Sequence, residues 1–531
     1  MTSLPTQDSA RTGHGSGRDP EPSRIPDRPD DFEGRFSTDD EVLESFSRAS
    51  GPYRVRPRAV AAPRSVDDIQ RLVRWASRRS LSLIPRGAAT GMPGGNVGEG
   101  VVVDLTAGFR TMEPVDPDAQ RVRVGPGTIA AEVNRAARKH GLFLPPLPSS
   151  ARRCTIGGMV ANNAAGVRTF KYGATRDWIS SLEVVLADGR RVELGADPAP
   201  ALFSELQSRL LPRWNLLSDE WPRVVKNSSG YALDRFVPSG DPAQLLVGSE
   251  GTLGLITAAT LDLAPLPESR VLLLTAAREP RHLLTLVERA RELEASACEF
   301  FGRRFVELAR LEDDPRVGPM ARDAYALVLV ELDGPSSAVD DALASMQQTV
   351  RELGRTGHVA RTRTQREELW GIRHAASPVI SRVAEEGRVS MQFIEDSVVP
   401  PVRLPDYLGG LDEILAEVGT DAVVFGHAGD GNVHVNPLVD VEDPEWRERV
   451  GQILERTVDL VARLGGTLAG EHGDGRVRAP FLDRIWSEEA VRCFRTVKET
   501  LDPDCLLNPG VILPVEGQAS LSALYGAPGR H

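Results

Sequence analysis

The sequence predicts an α+β fold of two main packed units, and three observations carry that expectation. Short β-runs alternate with helical spacing between residues 53 and 105, the pattern of α/β architecture. Asp-Gly turns mark two hairpins, Ile179–Leu194 and Val423–Asn436. Residues 271 to about 420 alternate strand-like runs with helices. A chain of 531 residues is long for one core, so two or three domains are expected.

Taken in order, residues 1–32 carry Pro, Gly, Ser, Asp and Arg with almost no large apolar groups, which predicts a disordered leader. Phe32 to Ala49 has helical spacing, and the ordered fold is expected to begin near Tyr53. Pro57–Pro63 has the character of an edge strand. Ser65–Ala76 opens with a Ser N-cap and acidic residues, then apolar spacing of three and four, which predicts a helix. Leu81–Ile84 and Val101–Leu105 are the next strands. Further on, Val271–Leu274 and Tyr325–Leu332 are strand-like, and Arg281–Ala295 and Ala338–Gly354 are helical. Domain boundaries are expected at 53–268 and 269–514, with a tail over 515–531.

Composition excludes several classes. A net charge of −12 argues against a nucleic-acid footprint. Four of 63 basic residues are Lys: Lys139, Lys171, Lys226 and Lys498. Cys154, Cys298, Cys493 and Cys505 form no CxxC pair, so neither a disulfide framework nor an iron–sulfur cluster is signalled, and a reducing, cytoplasmic setting is expected. There is no apolar run of 18 residues and no signal-peptide core. Docking on a membrane partner from the inner face stays compatible with that.

The most informative stretch is the hairpin Val423–Asn436. With Asp430 and Gly431 as a two-residue loop, Gly429 pairs with Asn432, Ala428 with Val433 and His427 with His434. Directly opposed residues hold their Cβ atoms about 4.5–5.5 Å apart on one face, so two imidazoles can share a divalent cation. Phe425 and Asn436 fall on that face. Gly465–Gly475 then offers a carboxylate, Glu471, and a third imidazole, His472. Two His and one carboxylate with an open position describe a catalytic metal site; the alternative is a pair of strand histidines satisfied by backbone.

Three segments offer phosphate- or ring-binding chemistry. In Pro85–Gly95, glycines let backbone N–H groups converge on an anion, although the loop lacks the P-loop and Rossmann spacings and also reads as a tight turn. Pro148–Gly166 is dominated by small residues, so backbone can approach a large planar ligand, with Thr and Asn as fixed hydrogen-bonding groups. Val247–Thr257 runs through Gly-Ser-Glu-Gly-Thr into a β-run.

In this order and spacing, those segments resemble the FAD-binding (PCMH-type) domain of the vanillyl-alcohol oxidase and p-cresol methylhydroxylase superfamily. The His427/His434 and Glu471-His472 motifs resemble the C-terminal domain of its FAD-linked 2-hydroxy-acid dehydrogenase branch. That branch holds D-lactate dehydrogenases, glycolate oxidase subunits and D-2-hydroxyglutarate dehydrogenases. The resemblance spans about residues 53–514 through five separated motifs.

It implies a two-part FAD-binding domain followed by an α+β cap whose antiparallel sheet roofs the flavin. Arg86, Gly87, Ala88, Ala89, Thr90 and Gly91 would wrap the FAD pyrophosphate. Pro148, Thr155, Gly157, Gly158, Asn162 and Gly166 would line pyrophosphate and flavin. Glu250, Gly251 and Ile256 would close the adenine and ribose side, and Asn508 would lie near the ring, where Asn-Pro-Gly also reads as a helix stop. Residues 86–95 contain no His, Tyr or Cys for a covalent tether, so dissociable FAD is expected, with Cys154 the nearest alternative.

The implied activity is oxidation of a D-2-hydroxy acid, lactate-like, to the 2-keto acid, with hydride passing to flavin N5. Zinc or manganese would be held by His427, His434 and Glu471. His472 would act as general base, Arg373 would hold the substrate carboxylate, and Asn436 would steady the metal or substrate. Electrons would leave for an external acceptor: a quinone, a cytochrome or a flavoprotein. Glycolate or D-2-hydroxyglutarate is the alternative substrate. Phe393–Asp396 lacks the Lys that the dicarboxylate relatives place near Ile394. From a different class, the chain also reads as a non-catalytic flavin subunit of an electron-transfer complex.

Overall fold

The computed structural model describes residues 27–195, 200–376, 380 and 387–521. Most of the predicted leader, residues 1–26, and residues 522–531 of the tail lie outside the described residues.

A first sheet contains β1 (Arg35–Ser37), β2 (Ala59–Ala62), β3 (Leu83–Arg86) and β4 (Val101–Asp104) in the order β1-β2-β4-β3. The β2–β4 and β3–β4 pairs are parallel, and β1 joins antiparallel. Ordered chain therefore starts before Tyr53: Phe32 is buried and β1 covers β2. Pro57–Pro63, expected at an edge, becomes interior for that reason. The helix Val66–Ser77 forms as expected, its Ser65 hydroxyl accepting the Asp68 N–H, and buries Ile69, Leu72, Val73 and Trp75 on this sheet.

A second, antiparallel sheet has the order β5-β9-β7-β8: β5 (Arg121–Val124), β7 (Ile179–Val185), β8 (Arg191–Leu194) and β9 (Leu255–Asp262). Short β6 (Leu142–Phe143) and β10 (Ala264–Pro265) pair beside it. The predicted 179–194 hairpin is β7–β8, with Gly189 at φ +82° in its turn.

The third sheet is antiparallel, in the order β14-β11-β13-β12-β17-β18-β15, with β16 also on β18. Its strands are β11 (Ser269–Ala277), β12 (Ala297–Gly302), β13 (Ala326–Gly334), β14 (His358–Ala360), β15 (Val389–Ser390), β16 (Ser397–Val398), β17 (Asp421–His427) and β18 (Asn432–Val439). One face packs the helices Pro280–Glu292, Ser336–Glu352, Leu404–Val418 and Trp446–Arg463. The other carries Phe301, Leu329, Val423 and Phe425 and meets the helix Arg363–His374 through Leu369 and Trp370.

The chain then returns to its first half. Leu482, Trp486 and Phe494 enter the core of the second sheet, and the helix Glu488–Leu501 packs on the helix Ala201–Leu217. Leu83 N–H donates to Leu506 C=O and Asn508 N–H to Leu83 C=O, closing the β3 edge. A boundary at 268 thus separates two stretches of sequence but leaves the N-terminal core to be completed by residues after 481.

Candidate active site

One cavity of about 860 Å³ is lined by residues of both halves. That size falls within the range of sites that enclose large organic ligands. Every candidate cofactor residue except Asn508 lies on its wall: Arg86 to Gly91, Pro148, Thr155, Gly157, Gly158, Asn162, Gly166, Glu250, Gly251 and Ile256. So do His427, His434, Asn436, Glu471, His472 and Arg373.

Local chemistry explains the floor. Thr155 caps the helix Ile156–Asn162 by accepting the Gly158 N–H. A Cβ on Gly87 would stand 2.4 Å from the Thr155 hydroxyl, so the Arg86–Gly91 loop and this cap meet only through glycine. Gly251, at φ +70°, would drive a Cβ to 2.2 Å from Pro85 Cγ. The Arg86 guanidinium donates to the carbonyls of Phe46 and Arg48 and braces the loop. Asn508 is not among the lining residues; its amide donates to Gly95 C=O and Glu250 C=O, each at 2.8 Å. It holds two cavity loops together.

Glu250 accepts N–H groups from Asp474 and Gly475. Burial, with Asp474 close by, nonetheless pushes its carboxyl up to about 8. The folded state keeps a proton that the unfolded chain releases near its ordinary value of 4.5, so stability falls as pH rises from there to about 8. Glu250→Gln has no such proton. Its thermal midpoint should gain on the parent's across that window and level off above it, as read by melting the FAD-loaded proteins at a series of pH values.

The roof carries the His/Glu set. The hairpin register differs from the expected one: a four-residue turn, Ala428–Gly431, pairs His427 with Asn432 and His434 with Phe425. The register slips by two residues, an even number that preserves strand parity, so both imidazoles stay on one face, as diagonal neighbours with ring centroids 5.1 Å apart. Asp-Gly remains in the turn, with Gly431 at φ +69°.

His427 Nδ1 faces Glu299 Oε1 at 2.6 Å, and His434 Nδ1 faces the Glu395 carbonyl at 2.6 Å. Those acceptors fix Nδ1 as the protonated nitrogen and leave each Nε2 for a ligand. His427 Nε2 is 3.2 Å and His434 Nε2 3.4 Å from Glu471 Oε1. One ligand atom from each of the three residues falls within 4.8 Å of the others. Two imidazoles and one carboxylate, each already oriented by a partner, fit a divalent cation.

Charges in this wall are strongly coupled. Burial works against the Glu471 carboxylate, yet Lys226 and His427 hold it well below the usual range. Burial also disfavours a charged His427, but Glu299 raises it, while burial lowers His434. His472 is pushed up to about 9: burial opposes its charge, and Asp396 and Glu395 outweigh burial.

Asn436 lies on the His434 face; its amide donates to Val423 C=O and accepts from Gln392. Arg373 is buried, with its Nε donating to Glu299 Oε2 at 2.9 Å and its guanidinium 4.9 Å from the Phe425 ring centre. Cys154 lines the cavity, and burial raises its thiol to about 11.

Several residues beside the site are not evident from sequence. Glu299 bridges His427 and Arg373. Asp396 Oδ2 accepts the N–H groups of Gly470, Glu471 and His472 and so shapes the loop that presents them. Glu395 pairs with Arg478 and His472. Lys226 lies against Glu471. An acid within the apolar strand β12, an adjacent acid pair just before β16, and a lysine in an arginine-rich chain are the signals the sequence offers for them.

Comparison with known proteins agrees on the family. Residues 57–195 match the model of an FAD binding domain, and residues 266–512 that of FAD linked oxidases, C-terminal domain. Residues between these stretches, including Lys226, are covered by neither. The glycolate oxidase subunit GlcD of Bacillus subtilis is 31% identical over 87% of this chain and 90% of its own length. The D-lactate dehydrogenase of Archaeoglobus fulgidus is 31% identical over 87% and 94%. The D-2-hydroxyglutarate dehydrogenase of Xanthomonas citri is 30% identical over 90% and 93%. Among solved structures, 4-ethylphenol oxidase from Gulosibacter chungangensis superposes with TM-score 0.67 at 15% identity, covering 90% of this chain and 94% of that one. That likeness shows the fold.

Proposed function

This chain belongs to the FAD-linked 2-hydroxy-acid dehydrogenase branch of the vanillyl-alcohol oxidase and p-cresol methylhydroxylase superfamily, and from that premise we propose that it oxidises a lactate-like D-2-hydroxy acid to the 2-keto acid with the help of a divalent cation. The observation that carries this reading is that the His427, His434 and Glu471 set shares one cavity with the flavin-binding segments.

FAD supplies a two-electron hydride acceptor and a divalent cation, zinc or manganese, supplies a Lewis acid for the hydroxyl group. His427, His434 and Glu471 would hold the cation. Arg373 binds the substrate carboxylate, its planar fork suiting that partner and its own position set by Glu299. His472 receives the hydroxyl proton at Nε2, its ring oriented through Nδ1 by Glu395 Oε1 at 3.3 Å. Asn436, held by Val423 and Gln392, keeps a fixed amide beside the substrate.

A monocarboxylate fits the wall better than a dicarboxylate. No Lys stands at Phe393–Asp396, and Glu395 faces the cavity as a carboxylate that Arg478 and His472 hold down at about 2 against burial. Among the described residues no helix is long and apolar enough to cross a membrane, and the four cysteines are free. Electrons accordingly pass from the flavin to an external quinone, cytochrome or flavoprotein.

The test is anaerobic mixing of the yellow protein with D-lactate, glycolate, D-2-hydroxyglutarate and L-lactate while the flavin band is followed. Bleaching is expected fastest with D-lactate. It should be lost after chelation and restored by zinc or manganese. Flavin reduction that survives complete metal removal at an unchanged rate would reject the metal reading, and no bleaching by any of the four acids would reject the substrate class.

A further inference from the structure

Lys226 is completely buried in a chain that uses Arg for nearly every other cation. Its Nζ faces three oxygens: it donates to Glu471 Oε2 at 3.3 Å and Gly166 C=O at 3.4 Å, and it stands 3.2 Å from Asp430 Oδ2 as an ion pair. An ammonium offers three donors around a point charge, whereas a guanidinium is a planar fork too broad for a closed site of this kind. Lys498 repeats the arrangement, donating to Thr252 C=O, Leu507 C=O and Asp502. Where this chain buries a lysine, three converging oxygens surround it.

The two oxygens of Glu471 consequently have different surroundings. Oε2 faces Lys226, while Oε1 faces the Nε2 atoms of His427 and His434. Asp430, whose buried carboxylate oxygens have no hydrogen-bond partner among the described residues, stands within ion-pair distance of the same ammonium. Gly166, which supplies the third oxygen, lines the cavity in the flavin-binding segment.

Resting on the metal reading above, we propose that Lys226 is a positioning residue for the metal set. It anchors one oxygen of Glu471 so that the other alone is presented beside the imidazoles, and it ties that orientation to the flavin-binding segment through Gly166. A carboxylate held by one oxygen leaves coordination positions open for substrate, which a catalytic site requires. Partners that orient metal ligands in this way govern affinity without touching the ion.

The test titrates metal-stripped, FAD-loaded protein with Mn²⁺, free Mn²⁺ being read by electron paramagnetic resonance. In Lys226→Met combined with Asp430→Asn no buried carboxylate is left without a partner at residue 430. This double variant should keep the parent's FAD content and bind Mn²⁺ about 10- to 100-fold more weakly. Asp430→Asn alone keeps the Lys226–Glu471 contact and should bind as the parent does. Lys226→Gln, similar in length and polarity, is a second arm and should weaken binding in the same direction. Parental affinity in either Lys226 variant overturns the proposal, as does an Asp430→Asn defect equal to that of the double variant. His427→Ala distinguishes a failed metal site from a failed role for Lys226. If it binds Mn²⁺ as the parent does, the metal set itself is wrong and the proposal falls with it; loss of binding there upholds the metal set, and the Lys226 variants then decide the positioning role.

Discussion

His472→Ala is expected to yield a yellow, metal-loaded protein whose flavin is reduced by D-lactate about a hundred- to ten-thousand-fold more slowly than the parent's, the range for loss of a positioned general base. The backbone at this residue is held independently of its ring. Its N–H donates to Asp396 Oδ2 at 2.8 Å, and its C=O accepts from Asn162 Nδ2 at 2.6 Å. Truncation therefore leaves the loop, Glu471 and the flavin segment in place, and the loss is one of proton transfer. The ring itself stacks near His434, centroids 5.6 Å apart, with Nε2 3.7 Å from Glu471 Oε1. Its pKa gives the sign of the pH dependence. A base raised to about 9 in the metal-free protein carries its proton at neutral pH, so the parent's reduction rate rises with pH through whatever lower value the loaded site has. The alanine variant should lose that ascending limb. Stopped-flow reduction across pH decides it; a parental rate in the variant would assign the base elsewhere.

Much of this site is legible in the sequence because its chemistry is local. His427 and His434 lie on one hairpin, and strand parity alone puts them on one face; the difference in register leaves that conclusion standing because it is a slip of two residues, which keeps parity. Gly87 and Thr155 can be read as cavity wall because small residues and caps leave short-range signals. Long-range contacts are not readable in this way. Strand β1 makes β2 interior by pairing with it, from within a stretch whose spacing reads as helical. Asn508 reads as a helix stop or a ring contact, and its true partners, Gly95 and Glu250, are hundreds of residues away in sequence. Glu299 and Lys226 have a compositional signal at most, an acid in the apolar run Ala297–Phe301 and a rare lysine, and neither names a partner.

Glu299 carries the second large expectation, because one carboxylate contacts both His427, proposed as a metal ligand, and Arg373, proposed to bind substrate. Burial alone would raise its carboxyl, and His427 and Arg373 more than reverse that, keeping it ionised. In Glu299→Gln the amide oxygen can still accept from His427 Nδ1, but with less basicity transmitted to Nε2. The amide nitrogen then faces the Arg373 Nε–H, donor against donor, and the guanidinium is left buried without its counter-ion. Metal affinity should fall about 10- to 100-fold from the first change. Breaking a buried ion pair on one side costs about 3–5 kcal/mol, so the thermal midpoint should fall as well. The side chain of Glu299 bonds to His427 and Arg373 and not to the flavin-binding loops, so FAD should stay bound. Saturating metal separates the two effects. With the cation restored, the remaining defect should appear mainly as a raised KM for the hydroxy acid, because Arg373 no longer has a fixed orientation. A variant with parental metal retention and parental KM would show that neither His427 nor Arg373 depends on this carboxylate, and the oriented cation site would lose its chief support.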